Sequence, residues 1–241
     1  MNFKQDEIVI QFFSRSPWDA PALWSQFYSI LNVTVGEFPS RLDTNDPLRR
    51  QFNDYSLKEN SEYTCQFGPK EMSRVMFGSY PKNKCHFSLH IYKSLSSHTS
   101  SLNLYLPSSK NELAEELFNQ LSILLEPIYA YSYYQRHVSA KKRADFFAVD
   151  MEQELVGVFW LTFFCKTYVN YFGRDKFQYS NGVEASESDK GIIIKLSDSP
   201  ITVEPDTRTL IEEIIGKNSF VDPKSTLLKP KGKYVPSYDM F

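Results

Sequence analysis

Hydrophobic residues recur along this chain with two different periods, and each change of period marks an element. Residues Glu7 to Arg15 read as a strand. Ile8, Ile10 and Phe12 alternate with Val9, Gln11 and Phe13, so both faces are expected to be covered. Ser16 and Pro17 break the strand, and a helix follows from about Pro21 to Asn32. Its apolar positions Leu23, Trp24, Phe27, Ile30 and Leu31 fall at helical spacing. Residues 33–82 are interrupted by Pro39, Pro47, Pro69 and Pro81, and read as loops with short helical pieces near Leu48 to Tyr55 and Lys70 to Met76. The period then becomes two. Cys85, Phe87, Leu89 and Ile91 share one face, while His86, Ser88, His90 and Tyr92 share the other. After a turn at Ser94 to Ser100, Leu102, Leu104 and Leu106 point inward on a second strand. The two strands predict an antiparallel hairpin with one wetter face.

Pro107 ends that hairpin. Ser109 with Glu112 has the spacing of a capping box, opening a helix from about Lys110 to Glu126 that buries Leu113, Leu117, Leu121, Leu124 and Leu125. Tyr129 to Val138 and Val158 to Cys165 read as strands, the second apolar on both faces. Lys166 to Phe172 is a short helix ending at Gly173, well placed for a left-handed cap. Asn181 to Lys190 is a polar, acidic loop, and Gly191 to Leu196 a β-branched strand. Asp206 to Ile215 is a helix between Pro205 and Gly216. The remainder, about residues 222–241, reads as an extended arm laid over the body through Tyr234, Tyr238 and Phe241. Hairpins mixed with helices predict an α+β fold: a mainly antiparallel sheet with helices packed largely on one face. No low-complexity linker interrupts the chain, so one domain over 1–241 is expected, with two interlocked halves as the alternative.

Composition narrows the class. With 241 residues, 41% hydrophobic and 15% aromatic, the chain can bury a large core. A net charge of −2 carries no basic excess, so neither direct nucleic-acid binding nor membrane binding is expected. The start MNFKQDEIVIQFFSR has no apolar stretch after a basic opening, and Val156 to Phe164 is far short of the roughly 20 residues of a membrane span. A cytoplasmic location is the expectation. Cys65, Cys85 and Cys165 are odd in number and widely spaced, which fits a reducing compartment, and no CxxC pair announces a zinc site.

Catalytic signatures are sparse. His86 and His90 lie four residues apart on a strand, which separates their rings by about 13 Å and precludes a shared metal. Cys165 follows an apolar strand and reads as a small inert hydrophobe. There is no GxSxG elbow, GxGxxG turn or P-loop, and so no catalytic residue, metal or cofactor is assigned. Lys141, Lys142 and Arg143 read as a solvated basic loop. The tyrosines at 129, 131, 133 and 134 read either as an interface or as a sheet face under a helix.

The stretch VGVFWLTFFCKTYVNYFG, followed by KGIIIKLSDSP, resembles the bacterial immunity protein 52 type family. Gly157 to Leu161 is similar to its Gly-x-x-Trp-Leu strand, Tyr168 to Gly173 to its short helix, and Gly191 to Pro200 to its Gly-led strand closed by proline. IQFFSR and SLNLYLP resemble its opening and central strands, although the opening motif lacks the Trp-Gly of many members. The resemblance implies a stoichiometric inhibitor of a cognate polymorphic toxin, of the kind delivered by type VI secretion. A cytoplasmic inhibitor would meet a toxin acting there, such as a nuclease. Against a basic nuclease cleft the inhibitor should offer carboxylates. Glu184, Glu187 and Asp189 are the first candidates for that interface and Asp150, Glu152 and Glu154 the second, with plain solubilising loops as the other reading. Two further classes stay open. An enzyme would show a deep polar pocket holding His137 or Cys165 beside a carboxylate. A scaffold would form a homo-oligomer through the tyrosine-rich strand.

Overall fold

A computed structural model describes residues 6–16, 18–44, 47–66, 74–80, 82, 84–91, 99–138, 149–178, 183–222, 225 and 229–241. Nine strands and five α-helices lie among the described residues, and every strand pairing detailed below is antiparallel. The fold is α+β, as the mixture of hairpins and helices predicts. The chain divides into two compact units, Met1–Ala130 and Tyr131–Phe241.

The first unit holds β1 (Glu7–Ser14), α1 (Pro21–Val35), β2 (Arg41–Asp43), α2 (Leu57–Gln66), β3 (Arg74–Tyr80), β4 (Cys85–Ile91), β5 (Ser100–Pro107) and α3 (Asn111–Leu125). Its strands lie in the order β2-β3-β4-β5-β1. Register brings Phe87 opposite Leu104 and Leu104 opposite Ile10, so apolar side chains line one face. Helices α1 and α3 cover that face. Phe27 meets Phe87 edge-on at 5.5 Å between ring centroids, and Phe12 stacks on Phe118 at 5.6 Å. Phe87 also lies against Gly78 on β3, where a Cβ would sit 2.1 Å from its ring.

The other face is partly exposed at His86 and His90 and buried between them. Gln11, Asn103 and Ser88 are all buried. They face one another across β1, β5 and β4, and Gln11 donates to Asn103 at 2.6 Å while Asn103 donates to Ser88 at 3.3 Å. A polar alternation thus encodes a buried polar row here rather than a solvated face. His86, expected outward, stacks on Tyr105 at 4.4 Å and is only partly exposed.

Between α1 and β4 the short helical piece expected near Leu48 to Tyr55 is present as a 3₁₀ turn at Phe52–Asp54, and the rest of the sequence reading fails for physical reasons. Arg74–Tyr80 is a strand, so the helical piece expected to Met76 does not extend through 74–76; residues 70–73 lie outside the described set. The α2 helix has little apolar periodicity because it buries polar side chains. Thr64 bonds the Tyr28 hydroxyl at 2.7 Å, and the Asn60 amide donates to the Phe52 carbonyl at 3.0 Å. Its capping box is Ser56 with Glu59: the Ser56 N–H donates to the Glu59 carboxylate at 2.7 Å, and the Glu59 N–H returns to the Ser56 hydroxyl at 3.2 Å. No such box forms at Ser109 and Glu112, where Lys110 occupies the cap position without a side-chain bond.

Strand β6 (Tyr129–Tyr134) begins at the end of the first unit and runs into the second. The second unit continues with β7 (Leu161–Cys165), α4 (Lys166–Phe172), β8 (Glu184–Glu187), β9 (Gly191–Lys195) and α5 (Pro205–Gly216). Strand β9 lies between β7 and β8. The polar stretch read as a loop therefore contains a strand. Gly173 has φ 94° and ψ 122°, so the turn after α4 is not the left-handed cap expected. The C-terminal arm packs on this unit: Val235 is fully buried, Phe241 meets Tyr168 at 5.3 Å, and the Ser219 hydroxyl donates to the Tyr234 carbonyl at 2.6 Å.

Two outcomes follow for the first unit. Gly78→Ala should destabilise the protein by about 1–3 kcal/mol, because the new Cβ overlaps Phe87. Urea unfolding measures this, and an unchanged midpoint would contradict the packing. Burial also lowers the His86 pKa from its ordinary 6.5 to about 4. The unfolded chain then takes up its proton first as the pH falls. The contribution of neutral His86 is complete above about pH 6.5 and lost progressively toward pH 4, on the order of 2 kcal/mol. Urea midpoints of His86→Gln should fall less steeply over that window than those of the parent. Parallel slopes would refute the assignment.

Candidate functional site

The second unit contains a cavity of about 440 Å³. Local sequence explains each wall. Strand β6 delivers Tyr133 and Tyr134, and the 3₁₀ turn Gln135–His137 that follows brings His137 and Val138 to the same space. The extended segment before β7 supplies Phe159 and Trp160. The turn after β9 closes the far side with Pro200, Ile201 and Thr202, and the start of α5 adds Glu204, Pro205 and Arg208.

Arg208 is fixed by two contacts. Its Nε donates to Glu212 Oε1 at 2.9 Å, one helical turn along α5. Its guanidinium carbon lies 4.4 Å over the Phe159 ring, and that ring stacks on Tyr131 at 4.7 Å. Glu212 is itself anchored, accepting the Val158 N–H at 2.9 Å. Space for this arrangement comes from Gly157. A Cβ there would stand 2.2 Å from Arg208 Nη2 and 2.8 Å from Glu212 Oε1, and its φ of 146° further disfavours any side chain. Among the described residues the two terminal nitrogens of Arg208 donate no hydrogen bond. Trp160 is held by its indole N–H, which donates to the Ser197 carbonyl at 2.9 Å. His137 meets Tyr134 edge-on at 5.2 Å and is exposed.

The tyrosine cluster is therefore buried: Tyr129 and Tyr131 are at 0% exposure and Tyr133 and Tyr134 at 6% and 7%. Cys165 sits at the junction of β7 and α4, away from the cavity lining, and burial pushes its thiol up. Burial likewise lowers His90.

The two acidic groups have different fates. Glu184, Glu187 and Asp189 lie exposed on β8 and the turn into β9. Glu187 pairs with Arg174. Asp150, Glu152 and Glu154 instead hold the C-terminal arm. Lys231 reaches Glu152 at 2.8 Å and Asp150 at 3.0 Å, and Lys229 reaches Glu154 at 2.7 Å. Glu152 also accepts the Tyr238 N–H at 2.9 Å. Hydrogen bonds to Glu152 and then Asp150 hold Lys231 well above the usual lysine range. The basic trio 141–143 lies outside the described residues. Among the described residues no group of three or more His, Cys, Asp and Glu side chains could hold a metal, and no helix is long and apolar enough to cross a membrane.

Glu152→Ala removes the acceptor of both Lys231 and the Tyr238 N–H. Trypsin should then cut at Lys231 or Lys233 several-fold faster than in the parent, with Glu184→Ala unchanged. Equal cleavage of all three proteins would show that the arm does not depend on this clamp.

No protein-family model matches the chain, and no curated protein matches it. Among solved structures, the chain is similar to "Pseudomonas aeruginosa T6SS protein PA0821", with a TM-score of 0.62 and 12% sequence identity. That likeness covers 88% of this chain and 76% of the other, and at this identity it shows a common fold.

Proposed function

We propose that this chain is an immunity protein of a type VI secretion system, which binds a cognate toxin acting in the cytoplasm and neutralises it stoichiometrically. The observation that carries this reading is the fold shared with a type VI secretion protein over 88% of the chain. The resemblance of Gly157 to Leu161 and of Gly191 to Pro200 to immunity protein 52 motifs supports it independently.

An occluding inhibitor needs about 800 Å² of rigid surface. The β8–β9 hairpin fits best. Strand β8 ends the strand order and all four of its residues are exposed, so among the described residues its outer edge pairs with no strand, beside the carboxylates of Glu184 and Glu187. Asp150, Glu152 and Glu154 fit less well, because lysines of the same chain pair with all three, whereas on the hairpin Glu187 alone is paired among the described residues, with Arg174. A toxin with a basic cleft, such as a nuclease, is the matching partner.

Co-expression with the toxin encoded beside this chain should restore growth, and undiminished killing would sink the proposal. Joint reversal of Glu184, Glu187 and Asp189 to lysine should slow association at least about tenfold at low salt, and less at high salt. An unchanged on-rate removes the hairpin from the interface.

One observation favours a second reading, an enzyme or small-molecule binder: the cavity brings His137 and a carboxylate, Glu204, to one lining. Its signature is turnover that disappears in His137→Ala.

A further inference from the structure

We infer that the cavity of the second unit is a binding site for a free α-amino acid with an aliphatic side chain, a role separate from toxin neutralisation. Its volume of about 440 Å³ lies within the range that encloses small organic ligands. Two opposite charges line it, one turn of α5 apart: the Arg208 backbone N–H donates to the Glu204 carbonyl at 3.2 Å, and both side chains belong to the lining. A glutamate four residues before an arginine is in the favourable order for an ion pair. Here the pair does not form. Arg208 turns instead to Glu212, with its guanidinium over Phe159, in the space that Gly157 leaves. Among the described residues the Glu204 carboxylate accepts no hydrogen bond, and the terminal nitrogens of Arg208 donate none.

A ligand that carries both signs satisfies both groups at once. A carboxylate suits the terminal guanidinium nitrogens, and an ammonium suits the exposed Glu204 carboxylate. Ligands of one sign fit worse, because a lone anion meets Glu204 and a lone cation meets Arg208. An α-amino acid holds its ammonium and carboxylate on a single carbon, so it can bridge two groups that stand one helical turn apart. The body of the ligand follows from the surface left open. Tyr133, Tyr134, Phe159 and Trp160 are buried, and the Phe159 ring is already in contact with Arg208 and Tyr131. Ile201, by contrast, is 49% exposed, Pro205 is exposed and Val203 is half-buried. The accessible apolar wall of the cavity is therefore aliphatic, and a branched aliphatic side chain laid on it removes apolar surface from water on both partners.

The test is calorimetric titration of the purified full chain with L-leucine, and in parallel with N-acetyl-L-leucine, L-leucinamide and glycine, which lack in turn the ammonium, the carboxylate and the aliphatic side chain. Leucine should saturate the protein at low-millimolar concentration or below, and each of the other three should bind at least about tenfold more weakly. Glu204→Gln should weaken leucine by about the same factor. The Glu204 side chain is exposed and bonds nothing among the described residues, so this variant keeps the fold. Glu184→Gln, on the exposed β8, should bind leucine like the parent. No saturable binding of leucine, equal binding of leucine and any of the three analogues, or parental affinity in Glu204→Gln would each overturn the assignment.

Discussion

Phe87 can lie across β3 because position 78 carries no side chain, and Phe27 of α1 closes on the ring that results. Much of the first unit's core is built outward from this contact. Trp24 and Tyr28 both meet Phe27, and Phe52 meets Tyr28, so the aromatic chain extends from the sheet through α1 to the loop before α2. Rings fill space in large, rigid steps, and they pack only where a neighbour gives way by a whole side chain. The second unit uses the same device for a different end. There the missing Cβ at Gly157 admits a guanidinium beside Phe159, and the stack closes in a charged group at the edge of a cavity.

Polar burial accounts for what the hydrophobic pattern leaves unread. Period-two alternation around residues 85–106 is sufficient to place β4 and β5, and helical spacing of leucines is sufficient to place α3. Neither pattern distinguishes a solvated polar face from one whose buried polar groups hydrogen-bond one another, as Gln11, Asn103 and Ser88 do. Helix α2 is illegible for a related reason: its buried residues Asn60, Ser61 and Thr64 are those a periodicity argument assigns to solvent. The Ser56–Glu59 box is a local signal that marks its start, and it has the same spacing as the Ser109–Glu112 pair that forms no box. In the site, Tyr133 and Tyr134 are legible as unusual, and His137 as a conceivable pocket histidine. Arg208 is not, because an arginine four residues before a glutamate on an amphipathic helix reads as an ordinary surface pair. The cue was Gly157, which stands in a motif that otherwise reads as packing.

The structure also sorts the acidic residues that sequence alone leaves equivalent. Carboxylates at 150, 152 and 154 fasten the end of the chain, and with Val235 buried and Tyr238 docked the arm is an integral part of the second unit. Those at 184, 187 and 189 are exposed on the last strand of the order and on the turn that follows it. Function by occlusion asks for a rigid body with an accessible, charged border. In the proposed role the hairpin would supply the border, and the clamp on the arm and the stacked rings the rigidity.

Stoichiometry tests the central claim most directly. A candidate cognate toxin, purified and titrated with this protein while toxin activity is followed, should lose activity linearly and reach zero at one equivalent, with a complex of both chains recovered by size-exclusion chromatography. Full loss of activity at a small fraction of an equivalent would mean catalytic inactivation. Undiminished activity at excess, with the two proteins eluting apart, would mean that this chain does not act on the toxin.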